Sequence, residues 1–337
     1  RLQIDGCLFA GNNASGNGAA VYINQNIAAS IRNSEFVYNT GDFGGAIQAI
    51  GDSLLTIENT IFRNNFAGSQ GAALNFLQTK AVLTNCLFAK NINVGDGAGG
   101  AISINASDSL NSRVKMVNCT FADNEAVIGA GIAQWEAPAG DAQLTLLNCL
   151  FQNPNGENYS IEEGEPEVFS LNGNQSSDAS LEADLLASKD VHNLTTTFFD
   201  PANDDYHLTM GPAVDGGVAE GAPVTDLSGS PRLGLPDRGC YELGINGVQN
   251  VGFQVLPMQC FPNPAAEKTM LKLQSERNGQ AEILVWNQAG QRVQSFQVEK
   301  TSPEFEYSLV LEQWPSGTYR VQFRLGVLVY EGSFIKI

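Results

Sequence analysis

Basic residues are scarce: 18 Lys and Arg stand against 36 Asp and Glu, a formal charge of −18 over 337 residues. Without a basic patch to displace phosphate counterions, no binding of nucleic acid or of an anionic membrane surface is expected. Histidine is scarcer still, at His192 and His207 alone. That excludes a multi-histidine zinc site, and any Ser-His-Asp triad has to use one of these two. No apolar run approaches the ~18–20 residues that span a bilayer, so no membrane-spanning segment is expected. Glycine loops of the phosphate-binding kind, between a strand and a helix, are also missing.

Glycine itself is abundant, at 35 residues, which favours tight turns and flat stacked surfaces over helices. The charge is unevenly placed. Residues 257–337 hold eight basic residues and eight Glu with no Asp, so the whole −18 lies in residues 1–256. That shift marks a domain boundary. The acidic part reads as a solvated surface and no cofactor is expected; the alternative is a surface that attracts divalent cations, Ca²⁺ among them. Arg1 already lies inside a repeat, so the start is read as that of a processed or partial chain.

The repeat fixes the fold. Phe9, Phe36, Phe62, Phe88, Phe121 and Phe151 are spaced by 27, 26, 26, 33 and 30 residues. Five positions earlier stand Ile4, Ile31, Ile57, Leu83, Met116 and Leu146, and two before those Leu2, Ala29, Leu55, Ala81, Val114 and Leu144. Apolar side chains at alternate positions describe half-buried strands. Three before each Phe comes Gly6, then Asn33, Asn59, Asn85, Asn118 and Asn148; three after come Asn12, Asn39, Asn65, Asn91 and Asn124, with Pro154 breaking the series. Asparagine tolerates the left-handed backbone of a corner, and its amide can bond the asparagine stacked on it. A small-residue start such as Gly44-Gly45-Ala46-Ile47 or Gly99-Gly100-Ala101-Ile102 then leads the next strand. Three short strands per ~26 residues predict the coils of a right-handed parallel β-helix over residues 1–155, six coils rising roughly 25–30 Å. A leucine-rich repeat horseshoe would need a Leu consensus that the chain lacks. The glycine-led strands and the Phe-x-x-Asn signature resemble the repeats of polymorphic outer-membrane proteins and related bacterial β-helix adhesins. The resemblance implies surface display and adhesion; the repeat residues themselves are scaffold.

Periodicity fades after Phe151, and residues 156–242 are expected to form irregular final coils and a cap. Asp204-Asp205-Tyr206-His207-Leu208, Gly211-Pro212-Ala213-Val214-Asp215-Gly216-Gly217 and Asp237-Arg238-Gly239-Cys240-Tyr241-Glu242 resemble the closing segment of secreted bacterial β-helix proteins. Asp215, Asp226, Arg232, Asp237 and Glu242 are read as structural, with buried Asp–Arg pairing and Asp turns closing the open end. His207 is read as a packing residue.

Residues 243–256 read as a linker. Beyond it, residues 257–337 show strands at 8–12-residue spacing with turns between them, an antiparallel β-sandwich of immunoglobulin-like kind. Pro262-Asn263-Pro264, a hairpin with Gly290 before Arg292-Val293, Gly317-Thr318-Tyr319-Arg320-Val321 and a last strand ending at Lys336 occur in that order. Together they resemble the type A C-terminal sorting domain of Bacteroidetes cargo of the type IX secretion system. The resemblance implies passage through the type IX translocon, docking to its outer-membrane shuttle barrel, and removal by a sortase-like peptidase before anchoring at the cell surface.

Cys7, Cys86, Cys119 and Cys149 sit two residues before a repeat Phe, where other coils carry Ser34 and Thr60, and are read as small buried thiols. A Cys240–Cys260 bridge stays open at an oxidising surface. Asp52-Ser53-Leu54 and Asp108-Ser109-Leu110 match the short acceptor for Bacteroidetes O-glycosylation, so Ser53 and Ser109 are candidate sites. The repeat strands offer neither clustered carboxylates for a lyase or glycosidase nor a metal site. Asp42 and Asp96 precede glycine-led strands on non-adjacent coils. The expectation is a surface or secreted cargo, displayed as an adhesive, structural or glycan-binding rod facing surface glycans or other cells. A polysaccharide lyase or glycoside hydrolase carrying the same tail is the alternative.

Overall fold

The computed structural model describes residues 1–337 except 26, 27, 52, 53, 96, 108–110, 244–254, 276–278, 289–291, 326 and 327. The chain forms two units, Arg1–Gln249 and Asn250–Ile337. The first is a parallel β-solenoid. Its first sheet stacks Leu2–Asp5, Ala28–Arg32, Leu54–Glu58, Lys80–Thr84, Asn111–Val117, Asp141–Leu147 and Glu167–Asn172 in that order. A phenylalanine sheet stacks Leu8–Ala10, Glu35–Val37, Ile61–Arg63, Leu87–Ala89, Thr120–Ala122, Leu150–Gln152 and Gln175–Ser176. A glycine-led sheet runs from Val21–Asn24 through Ile47–Ile50, Leu74–Leu77, Ile102–Ala106 and Ile132–Glu136 to Tyr159–Glu163. Every pairing among these strands is parallel, and the repeat Phe residues are register partners, Phe88 with Phe62 and Phe121.

The ordering does not stop at Phe151. Tyr159–Glu163 completes the sixth coil, and Glu167–Asn172 with Gln175–Ser176 begins a seventh. The irregular final coils expected there are regular as far as Ser176.

Two columns of side chains hold the coils in register. The six Phe rings stack face to face at centroid distances of 4.7–5.0 Å, with Phe36 to Phe151 fully buried. Beside them runs a buried asparagine ladder. The Nδ2 of Asn39, Asn65 and Asn91 each donates to the Oδ1 of the asparagine one coil on, at 2.9 Å, and to the carbonyl of the Phe one coil back, at 3.0 Å. The backbone N–H of each also donates to the next Oδ1. Every donor of these amides is thus satisfied without water, which is what allows polar side chains at 0% exposure. Pro154 does not end the ladder: Asn153, one residue earlier, takes the next position and passes it to Asn158. The corner asparagines before each Phe adopt left-handed backbone, φ 48–53° at Asn33, Asn59, Asn85, Asn118 and Asn148. Glycine is required at Gly71 and Gly99, where φ is positive and a Cβ would meet the carbonyl oxygen three residues on at 2.0 and 2.4 Å.

The closing of the solenoid differs from expectation. Turns at residues 180–184 plug its end, placing Leu181 and Leu185 in the solenoid core. The segment 197–243 instead runs back along one side. Phe198, Tyr206, Leu208, Ala213, Cys240 and Tyr241 pack on Leu87, Ala89, Ala122 and Leu150, which face outward from the phenylalanine sheet. The cause is that this sheet is apolar on both faces in its later coils, so its outer face has to be covered. Corner amides supply the docking points: Asn85, Asn118 and Asn148 donate to the carbonyls of Thr225, Asp237 and Val218 at 2.7–3.0 Å.

The second unit is a two-sheet sandwich. One sheet orders Val255–Pro257, Leu328–Lys336, Gly317–Leu325, Gly279–Asn287 and Arg292–Lys300; the other orders Gln259–Phe261, Lys268–Gln274 and Glu304–Val310. Leu271, Leu273, Phe305 and Leu309 pack against Ile283, Val285, Val321, Phe323 and Phe334. All pairings are antiparallel except that of Val255–Pro257, which runs parallel to the terminal strand.

Candidate functional site

In the second unit the expected motif residues join the start of the domain to its last strand. Asn263 Nδ2 donates to Ser333 O at 3.0 Å and its Oδ1 accepts from Ile335 N at 2.9 Å. Ala265 N bonds Ile335 O, and Ile337 N returns to Ala265 O. Pro262 O accepts from Thr269 Oγ1, while Pro264 is exposed beside it. Tyr319 donates its hydroxyl to Pro315 O at 2.8 Å and stacks on Phe334, a tethered tyrosine like those that fix sandwich corners. Gly317 opens its strand opposite Lys336, which is half-buried. Gly290, Ser53, Ser109, Asp96 and most of the expected linker lie outside the described residues.

In the solenoid, the side of the glycine-led sheet turned away from the core carries amides and hydroxyls, of which Gln48, Asn75, Ser103 and Asn105 are themselves buried. Tyr22, Gln48, Asn75, Ser103, Ala133 and Ser160 form one row across the coils, and Asn105 and Trp135 belong to the next. Asn105 Nδ2 donates to Asn75 Oδ1 at 2.7 Å and to Gln70 Oε1 at 3.3 Å; Gln70 reaches Glu162, and Trp135 Nε1 donates to Glu163 at 3.0 Å. Gln48 Oε1 is buried, and among the described residues no donor reaches it. Tyr22, 45% exposed, lies on the first strand of this flank, and the half-buried Trp135 on the fifth of six.

The lateral cover holds most of the buried charge. Arg232 pairs with Glu242, not with an Asp, at 2.9 Å with both side chains 3% exposed, and also donates to Asn85 Oδ1 and Gly239 O. Asp226 accepts from Ser230 N and Glu242 N, and Asp237 from Asp215 N and Leu243 N, so both carboxylates shape loops. Burial, against those two amide bonds, pushes the Asp237 carboxyl from 3.8 up to about 7, with Glu242 and Asp215 repelling its charge. Burial also acts on Asp178, but bonds from Ser180, the Asn158 amide and Ser176 prevail and hold it below its ordinary value. The two have opposite linkage. The folded chain keeps the Asp237 proton that the unfolded chain releases near pH 4; the stability this brings is complete below that pH and is lost as pH rises toward about 7. Asp178 stabilises above the ordinary carboxylate range and loses its contribution in stronger acid. Thermal melts followed by circular dichroism should therefore rise between pH 8 and pH 5, and Asp237→Asn should flatten that rise. An unchanged slope in the variant would refute the assignment.

The thiol position is explained by one bond. Cys86, Cys119 and Cys149 point Sγ at the carbonyl two residues back, at 3.4–3.5 Å, as the hydroxyls of Ser34 and Thr60 do at 2.6 and 2.9 Å. Burial raises the Cys119 and Cys149 thiols well above the ordinary range, so they stay protonated and inert. All six cysteines, Cys240 and Cys260 included, are free, and Cys7 is exposed on the first coil. His207 does pack, its ring 3.9 Å from that of Tyr241, but its two nitrogens also contact Asp205 and Ser228. Among the described residues no group of three or more His, Cys, Asp or Glu gathers as metal ligands would, and no helix is long and apolar enough to cross a membrane.

Parallel sheets coiling around stacked Phe and Asn columns define a β-helix protein, followed along the chain by a separate sandwich. The family model described as a right handed beta helix region matches residues 2–174, just over half of the chain, and the chain belongs to that family. Residues 259–336 match the model described as a secretion system C-terminal sorting domain. That domain directs export by type IX secretion, to the cell surface or beyond it, and implies contact with the type IX machinery. No curated protein matches the chain.

Proposed function

We propose that the solenoid is a displayed, glycan-binding rod and that the sandwich is its export and anchoring address. The observation that supports the rod is the polar flank of the glycine-led sheet. Its amides are buried and fixed by bonds to one another, which makes the flank rigid, and the exposed Tyr22 and half-buried Trp135 stand on it as aromatic contacts. Aromatic rings on a rigid flank suit the C–H faces of pyranosides, and such a site favours neutral glycans on a chain of this charge. In this reading the shuttle barrel of the translocon docks the sandwich, a sortase-like peptidase cuts within 243–256, and Ser53 and Ser109 carry O-glycans. Titration calorimetry of the full chain against neutral oligosaccharides should give saturable binding. Trp135→Ala should weaken it about tenfold, the loss of about 1.4 kcal/mol expected of one aromatic contact. Absence of saturable binding across the panel, or binding indifferent to Trp135, would remove the glycan reading.

A further inference from the structure

We propose that Asp205, His207 and Ser228 form a nucleophilic triad that hydrolyses carboxylic esters at a groove beside the lateral cover. Asp205 and His207 lie two apart on the strand Asp205–Met210 and so share a face. The Asp205 Oδ1 accepts from the His207 backbone N–H at 3.1 Å and sits 2.7 Å from His207 Nδ1. That contact keeps the proton on Nδ1 and leaves Nε2 as the acceptor, 3.1 Å from Ser228 Oγ. Tyr241, packed against the imidazole, holds its plane. The Asp205 and His207 side chains are about one-fifth exposed, 18% and 20%, while Ser228 is open to solvent.

A purely structural account leaves the serine without a task. Its turn is already closed by Ser230 N to Asp226 Oδ1 at 2.8 Å, Gly229 N to Asp226 O at 3.0 Å and Leu227 N to Cys240 O at 2.8 Å. An exposed hydroxyl gains little from a protein partner over water. Ser228 and Tyr241 line an open groove of about 450 Å³ together with Asn33, Glu35, Asn59 and Ile61, where Glu35 is held by Arg63. Amides and a carboxylate in the same groove as the nucleophile suit the hydroxyls of a polyol, so the substrate class is an ester of a small carboxylic acid with a sugar or other polyhydric alcohol.

In the reaction, Ser228 Oγ attacks the ester carbonyl as its proton passes to His207 Nε2. The carbon–oxygen bond to the alcohol breaks, and the imidazolium returns that proton to the leaving oxygen. Water then attacks the acyl-serine, giving one proton to Nε2; the acid departs and Oγ recovers the proton. Ester and water become acid and alcohol, with no further reactant. Asp205 orients the imidazole and stabilises its charge. This activity goes beyond the displayed-rod reading and rests on different residues.

The test treats the full chain with a fluorophosphonate probe and, separately, with p-nitrophenyl acetate, followed by peptide mapping. The expected result is one label, at Ser228, absent in Ser228→Ala and retained in Cys7→Ser, which removes the thiol of the same groove. His207→Ala should slow labelling about 100-fold, within the usual range for a general base, and added imidazole should restore part of the rate, which a structural role would not permit. Thermal melts of each variant separate loss of chemistry from loss of fold. No label at Ser228, label scattered over other serines, or labelling unaffected by His207→Ala in a folded protein overturns the proposal.

Discussion

Phe88→Ala is expected to destabilise the solenoid by about 3–5 kcal/mol, measured by urea unfolding with far-ultraviolet circular dichroism. Phe88 is fully buried and stacks on both neighbours, at 5.0 Å from Phe62 and 4.7 Å from Phe121. Truncation leaves a ring-sized void between two columns whose backbones are pinned by parallel pairing and by the asparagine ladder, so neither ring can move in to fill it. A solenoid coil touches only the coils above and below it, and the damage therefore divides the stack in the middle. Phe9→Ala is the control: that ring has one stacking neighbour and is only half-buried, so its loss should cost well under half as much. Equal losses at Phe9 and Phe88 would refute a contribution that grows with burial and stacking.

Deleting residues 255–337 is expected to abolish surface display and leave the solenoid folded inside the outer membrane. The two units have separate hydrophobic cores, so the solenoid loses nothing of its own packing. A finer deletion, of residues 328–337, should have the same effect on export. The terminal strand is an inner strand of the five-stranded sheet, between Gly317–Leu325 and Val255–Pro257, and it carries the Asn263 clamp and the Phe334 that stacks on Tyr319. Without it the sandwich loses its shape, and the address with it. Protease accessibility on intact cells, compared with fractionated periplasm, reads the outcome. Either truncated chain appearing at the surface at the full-length level would mean that export does not use this domain.

Much of the architecture was legible because it is periodic. The spacing of Phe36, Phe62 and Phe88, the alternation ahead of them and the corner asparagines each repeat one physical demand, and six repetitions leave little freedom of register. What was not legible is where the chain departs from repetition. Pro154 hid a ladder that continues one residue earlier, through Asn153 and Asn158. The lateral cover was misplaced, although Leu87-Phe88-Ala89 and Leu150-Phe151 are apolar on both faces, a sign that something must lie outside them. The Arg partner was expected to be an Asp and is Glu242, since pairing across an irregular loop follows no period. Asp205, His207 and Ser228 meet only through the fold of that loop. Spacing along the chain carries no mark of it, beyond there being just two histidines to choose from.

The asparagine ladder also has a direction. From Asn12 through Asn39, Asn65, Asn91, Asn124 and Asn153 to Asn158, every amide donates toward the later coil. The dipoles align head to tail, and each polarises the next. Their positive end emerges at Asn158, whose Nδ2 donates to Ser176 Oγ, which donates in turn to Asp178. A single carboxylate thus neutralises a column of oriented amides, as an acidic residue does at the first turn of an α-helix. The solenoid is an electrically polar wire with an anion soldered to its last contact, and a coil inserted after Asn158 would separate the two.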